Sequence, residues 1–344
     1  MDAHCEKALL LAQSASYKVI LGSKIGINLV GFLFLAFSYC RVVKTQKFAA
    51  LHVNVRLALH LHAYYIVHVI LFIVINNTID LYRLSVAQAD PCNYRLPFWL
   101  TYSVRQGYMF GVLGQTLTFV FLSVERIIAT FRKGYEHNTS KTFFVLSALL
   151  NVVVCFGYAY VYMGYDADWS AQTEFFTQAN ERNVSRIASF VYIIIACECF
   201  SIILYNVTYL LNNRGKNKIR FHEKRITHIN MSLTEKYQID ENRKVVGFLL
   251  PVCWIHFGIY ILSYVGYFLF IQQHYPVRPV QYASLIEVFG FITFYAYIYA
   301  FGLLRCFMRK RKAPKEETRA TTDEYFNQMD ALFRSTKEPR NRRN

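Results

Sequence analysis

Two adjacent ions, Glu125 and Arg126, interrupt an otherwise apolar run, FVFLSVERIIATFRKGYE at 119–136. Four more ionisable side chains, Arg105, Glu198, His256 and Glu287, stand inside apolar stretches of their own. In hydrocarbon each of them must find water, a partner or a bound molecule. Group transfer or hydrolysis would need paired carboxylates, a nucleophile beside a base, or metal ligands at fixed spacing. None of those patterns is present. The nearest approach is VRLALHLHAYYIVHV at 55–69, where His60, Tyr64 and His68 recur every four residues and so share one helix face. Tyrosine breaks the histidine spacing and no carboxylate is near, so neither a metal nor another cofactor is expected there. That face reads instead as a polar seam turned into a helix bundle, with ligand contact open to His68. Cys197 and Cys199, two apart, point to different helix faces and read as packing residues.

The elements that must hold these ions are set by composition. The chain has 344 residues, of which 54% are hydrophobic and only 17% charged, too apolar for an ordinary soluble surface. Seven stretches are long enough to cross a hydrocarbon core of about 30 Å. They are 19–39, 55–75, 104–123, 142–163, 187–211, 245–271 and 282–304. The expected fold class is therefore all-α, a seven-transmembrane helix bundle over 19–304, with 1–18 as the amino terminus and 305–344 as a tail. The lipid bilayer is its first partner.

Basic residues give the direction. Arg41, Lys44, Lys47, Arg56, Arg132, Lys133, Lys141, the basic gap 212–244 and RKRK at 309–312 all fall on one side, while 166–186 carries more acid than base. Cationic loops stay in the cytoplasm, which places the amino terminus outside and the carboxyl terminus inside. The formal charge of +16 sits in the gaps between apolar runs and not on a globular face, so nucleic-acid binding is a poor reading. The first eighteen residues lack a basic, apolar and small-residue series, so the first span is expected to act as the targeting signal.

On this topology Arg105 and Glu287 share the outer half of the bundle, with Tyr102, Gln106, Tyr108, Tyr260, Tyr264 and Tyr282 nearby. They could line a mixed-polarity cavity for a small molecule or form a purely structural bridge. Glu198 and His256 sit deeper. Cys5 and Cys92 are the cysteines on the oxidising side, so they are the available disulfide pair, two free thiols being the alternative. The sequons at Asn76 and Asn183 fall outside and are candidate glycosylation sites. Pro251 should kink the sixth span. LLRCFMRKRKAPK at 303–315 suits a short interfacial helix, with Cys306 placed for acylation, and YFNQMDALF at 325–333 is the tail's amphipathic piece.

The string ERIIATFRKGYEHN at 125–138 resembles the end of the third span in the nematode serpentine chemoreceptors of the Sra superfamily. SLTEKYQIDENRKVVGFLLP at 232–251 is similar to the block that precedes the sixth span there, and FAALHVNVRLAL at 48–59 and DPC at 90–92 add to the likeness. The alpha/beta-like class, Srab, fits better than Sre or Srb. The resemblance implies a receptor in the plasma membrane of a sensory neuron or its cilium, binding a small-molecule ligand and coupling to a heterotrimeric G protein. Glu125 and Arg126 then look like the acidic-arginine switch of rhodopsin-type receptors. The last span reads FYAYIYAFGLL, without an asparagine-proline-x-x-tyrosine motif, so that group's activation details do not carry over. A ligand-gated channel or a small-molecule transporter is the alternative function. Dimerisation is left open.

Overall fold

The polypeptide crosses back and forth because its apolar helices alternate with short polar connections. The computed structural model describes residues 3–49, 51–132, 142–177, 182–225, 233–266, 279–288 and 290–308. Among them, seven helices are long and apolar enough to span a bilayer: Ala15–Val43, Val53–Ser85, Phe98–Phe131, Phe144–Tyr162, Ser185–Arg214, Asn242–Val265 and Pro279–Met308. The expected number of spans and the all-α class are therefore found. A two-residue strand pair is the one departure among the described residues.

In chain order the helices are α1 (Ala3–Gln13), α2 (Ala15–Val43), a short α3 (Gln46–Ala49), α4 (Val53–Ser85), α5 (Phe98–Phe131), α6 (Thr142–Phe156), α7 (Val184–Arg225), α8 (Leu233–Gly266), α9 (Pro279–Val288) and α10 (Tyr295–Met308). A π turn, Gly157–Tyr162, extends α6. Local chemistry sets several starts. Ser14 Oγ accepts the amide of Tyr17 at 3.2 Å and caps α2. His52 Nδ1 does the same for the Asn54 amide at 3.4 Å ahead of α4. Pro97 stands immediately before α5, where its missing N–H is no loss.

The axis of the bundle is α5. In its most apolar window 67% of residues are buried, against 17% for the span that includes α6. It packs on α4, α6, α7 and α8. The approach of α4 depends on Gly107, Gly111 and Gly114, one stripe at i, i+4 and i+7. A Cβ at Gly107 would stand 2.1 Å from the Phe72 ring, at Gly111 2.6 Å from Val69 Cγ2, and at Gly114 2.3 Å from the Tyr65 ring. Small residues at a helix interface let backbones come close where lipid offers no hydrophobic drive.

At the end of the bundle where α5 begins, the connections fold into a cover. Leu96–Pro97 pairs antiparallel with Gln172–Thr173, and Phe98, Tyr102 and Trp169 pack together beneath. Ser170 donates to Asp168 Oδ1 from its amide and hydroxyl, which holds that exposed carboxyl below its ordinary range. α1 lies on the 91–94 turn and on α9. Ala8, Leu11 and Ala12 of α1 share an apolar cluster with Tyr17, Leu21, Leu84, Tyr94 and Ala283.

Three expectations change. Residues 3–13, expected only as an amino terminus ahead of the first span, are helical and packed as part of the fold. The gap read as a loop over 212–244 is largely helix, α7 running to Arg225 and α8 starting at Leu233. Hydropathy marks only the length that lipid covers, whereas lysine, arginine and glutamate continue a helix well past it. The last crossing is broken: α9 ends at Val288, and a tight turn, Phe291–Phe294, precedes α10. α8 passes through Pro251 without leaving helix. The end of the sixth expected span, 267–271, and the tail segments 309–315 and 325–333 lie outside the described residues.

Candidate functional site

Along α5 the buried ions and hydrogen-bonding groups fall into three layers. The first is near its start. Arg105 Nη2 donates to Glu287 Oε1 at 2.6 Å, joining α5 to α9, and Arg105 Nε donates to Phe176 O at 3.4 Å. Lys24 Nζ of α2 donates to the other carboxylate oxygen, Oε2. Arg105 and Glu287 thus meet as their depth suggested, and Lys24 is a third member that sequence reading missed. A second ion pair stands close by, Arg83 Nε donating to Asp80 Oδ1 at 2.7 Å, and Tyr17 donates to Asp80 Oδ2 at 3.4 Å. Arg83 also reaches the backbone, donating to Glu174 O at 2.6 Å and to Tyr94 O. One guanidinium therefore ties α4 to the 91–94 turn and to the strand-forming connection.

The second layer lies mid-bundle. Thr116 Oγ1 of α5 donates to Glu198 Oε1 of α7 at 2.8 Å. His256 Nδ1 of α8 is also 2.8 Å from Glu198 Oε1, but off the direction a hydrogen bond requires. The two side chains are thus in close contact without a directed hydrogen bond between them. His256 Nε2 meets Gln115 Oε1 at 3.3 Å. His62 Nε2 of α4 meets Tyr295 OH of α10 at 2.7 Å. The rings of Phe119, Tyr260 and Tyr295 surround His256 at 5.1, 4.5 and 4.5 Å. Glu198 and His256 are fully buried, and Glu198 Oε2 and Tyr260 OH have no hydrogen-bond partner among the described residues.

The third layer closes the opposite end. Arg126, 2% exposed, pairs with its neighbour through Nε to Glu125 Oε2 and Nη2 to Glu125 Oε1, each 2.5 Å. Its Nη1 donates to Asn242 Oδ1 of α8 at 2.8 Å. Thr130 Oγ1, one turn on, accepts from Asn212 of α7 at 3.1 Å and from Asn242 at 3.4 Å. Asn54 Nδ2 of α4 donates to Glu125 Oε1 at 3.5 Å, and His52 Nδ1 lies 3.8 Å from the same oxygen. Asn54 of α4 and Asn242 of α8 thus reach this pair on α5, and Asn212 of α7 bonds Thr130 one turn on. Beside it a small cleft between α4, α5 and α6, lined by Asn54, Thr118, Glu125 and Asn151, holds about 20 Å³, room for a single water.

Other residues singled out from the sequence lie apart from these layers. His60 and Tyr64 are exposed and His68 is only half-buried, its ring tilted against those of Phe72 and Phe110 at 4.7 and 5.2 Å. The seam that turns inward is carried by His62. A repeat of four fixes a face, not which way that face points; the glycine stripe on α5, which draws the Tyr65–Val69 side of α4 against it, does. Tyr102 points at α6, donating to Ala159 O at 2.9 Å, and Tyr108 is half-buried against the core. Cys5 and Cys92 are joined as a disulfide. Of the two sequon asparagines, Asn183 is fully buried and donates to Met163 O at 3.1 Å, and Asn76 is buried within α4, donating to Asn77 Oδ1 at 3.1 Å.

A buried arginine thus lies at one end of a seven-helix bundle and an ion cluster at the other. No match was found among curated proteins. Residues 2–335 match a protein-family model described as serpentine type 7TM GPCR receptor class ab chemoreceptor. Covering nearly all of the chain, that match settles its kinship: the protein is a multi-pass membrane receptor of the serpentine class ab chemoreceptor family.

Proposed function

We propose that this chemoreceptor detects a small molecule in the half of the bundle that holds Arg105 and Glu287, and signals through a heterotrimeric G protein at the Arg126 end. The observation that carries the reading is the burial of Arg126. Its charge is neutralised by Glu125 and its remaining arm is held by Asn242 on α8, so the bundle is closed where a partner would dock. Releasing that arm requires α5 and α8 to separate, and a ligand can favour the separated state only by binding it better. Arg105 and Arg126 are 21 positions apart on one helix, a rise of roughly 30 Å, the thickness of a hydrocarbon core. Two interfaces at the two membrane surfaces are thus linked by one continuous element.

Basic asymmetry supports the orientation, with α1 and the disulfide outside and Arg126 facing the cytosol, and supports the plasma membrane of a sensory cell as the place where such a chain works. The test is expression in a heterologous cell with a panel of small volatile and water-soluble molecules, reading G-protein activation for the intact chain and for Arg126→Ala. Evoked activation that the substitution abolishes at equal surface level upholds the reading. Activation untouched by it, or an evoked current that persists without G protein, overturns it in favour of a channel.

A further inference from the structure

Where α2 ends and α4 begins, three aromatic rings step from one helix to the next. His60 of α4 meets Phe48 of α3 edge-on at 5.6 Å, and Phe48 meets Phe307 of α10 at 5.7 Å. A cation stands beside each ring. Arg56 is one turn before His60, Lys47 directly precedes Phe48, and Arg305 is two residues before Phe307; the charges of Lys47 and Arg305 both bear on Cys306. α2 adds a fourth. Phe34 stacks on Tyr297 of α10 at 6.1 Å, and these first and last crossing helices run in the same sense, so two turns further on Arg41 comes level with Leu304 and Arg305.

The sequence around the cluster offers no counter-charge. It has no Asp or Glu between Glu6 and Asp80, nor between Glu287 and Glu316. Carboxylates on neighbouring helices are engaged elsewhere, Glu125 with Arg126 and Asp240 with Arg243 and Lys244. Arg41, Lys47 and Arg305 are exposed, whereas Arg56 is half-buried and its Nε, shut off from solvent, meets no acceptor among the described residues. A guanidinium N–H so placed calls for an oxygen that the chain does not supply.

Basic residues at one membrane surface often do no more than fix the orientation of a chain. Here they come from four helices to one place. One turn deeper, on the same faces as Arg41 and Arg305, Phe37 and Phe301 are 56% and 59% exposed, and Arg41 lies over the Phe37 ring at 5.3 Å. A charged rim above an apolar wall has the build of a lipid site, with phosphate at the rim and acyl chain on the wall.

We propose that Arg41, Lys47, Arg56 and Arg305 hold the headgroup of a phosphorylated inositol lipid in the cytosolic leaflet, with an acyl chain on Phe37 and Phe301. Several phosphates answer several cations, which the single net charge of phosphatidylserine does not, and guanidinium forks suit phosphate oxygens. Bound there, the lipid joins the ends of α2, α3, α4 and α10. The site depends on this end facing the cytosol, as basic asymmetry argues, and on neither a stimulus nor a G protein.

The full chain in detergent micelles is mixed with equal amounts of phosphatidylinositol bisphosphate, phosphatidylserine and phosphatidylcholine, and native mass spectrometry counts the lipid retained. The inositol lipid should be retained in preference to both others. Arg305→Gln and Arg41→Gln should each weaken its retention about fivefold, and Arg132→Gln, exposed at the same end but outside the cluster, should leave it unchanged. An equal loss with Arg132→Gln means that retention follows net charge alone and overturns the site, as does equal retention of phosphatidylserine. Soluble inositol trisphosphate at the lipid's concentration should displace little of it; full displacement assigns the cluster to a free phosphate and overturns the lipid reading. Arg56→Gln should match Arg305→Gln, and where it does not fold the two exposed arginines decide alone. Sidedness is read separately: a carboxyl-terminal tag reached by antibody on intact cells overturns the cytosolic assignment. Lipid retention without any evoked G-protein output sinks the coupling and leaves the lipid site.

Discussion

Arg126 Nη1 and Asn242 Oδ1 are 2.8 Å apart, and that hydrogen bond joins α5 to α8 at the closed end of the bundle. Asn242 contributes twice, since its amide also reaches Thr130 at 3.4 Å. Removing it frees an arm of a charged group without removing the charge. Bonds of this kind contribute about 1.5–3 kcal/mol, which corresponds to a shift of roughly tenfold or more between two states. Asn242→Ala should therefore raise ligand-independent G-protein activation several-fold at matched surface level. A basal signal equal to that of the parent chain would show that this contact does not restrain the bundle.

The glycine stripe on α5 should tolerate no side chain. At Gly114 an added Cβ meets the buried Tyr65 ring at 2.3 Å, and Tyr65 is itself held by Asn151 at 3.1 Å, so it has nowhere to go. Overpacking of this sort costs about 1–3 kcal/mol or more. Gly114→Val should lower the unfolding midpoint by several degrees and reduce surface expression, while Gly258→Ala, with nothing within 4 Å of its added Cβ, should behave as the parent.

His62 and His60 offer a matched pair. His62 is buried and bonded to Tyr295 at 2.7 Å across α4 and α10, whereas His60 is exposed. His62→Leu should remove the evoked response or the fold that supports it, and His60→Leu should leave concentration–response curves within about threefold. Equal effects of the two would return the polar face of α4 to its other side.

Opening the Cys5–Cys92 disulfide should release α1 from the bundle end. The bond spans 87 residues of sequence, and losing a link of that kind costs about 2–4 kcal/mol. Cys5→Ser and Cys92→Ser should each lower the unfolding midpoint, and the double substitution should be no worse than either. Additive losses would mean that the cysteines act separately.

Enzymatic deglycosylation should not change the electrophoretic mobility of the chain through Asn183 or Asn76. Asn183→Gln should instead act through the fold, because it displaces an amide bonded to Met163 O at 3.1 Å. A mobility shift lost in Asn183→Gln would place that residue at the surface.

How much of the fold and the site is readable from the chain alone depends on what kind of signal each residue leaves. Apolar runs mark lipid crossings directly, so all seven spans are legible. Arg105 and Glu287 can be matched because each is a lone ion in such a run. Lys24 is a lone ion of the same kind, in SKIGINLVGF, and the rule that flags intramembrane charges covers it as well as it covers Arg105. Asp80 escapes because the second crossing helix runs ten residues past the apolar stretch that announces it, to Ser85. The inward face of α4 is misread because a four-residue repeat of polar residues is as compatible with His60 as with His62. What decides between them is the stripe of glycines on another helix, a relation between two segments that periodicity within one cannot contain. Asn242 sits in a motif that signals kinship, and its contact with Arg126 needs two distant segments to be brought together.

The staple between Cys5 and Cys92 also carries information about biogenesis. One cysteine precedes the first crossing and the other follows the second, so once both segments are in the lipid the sulfurs share a compartment only if α2 and α4 are threaded in opposite senses. A ribosome-bound chain with one of those segments stalled would leave its thiols on different sides of the lipid. Oxidation at this position is then a record of correct insertion of the leading hairpin, legible to any quality-control step that senses free thiols before the remaining five helices have been made.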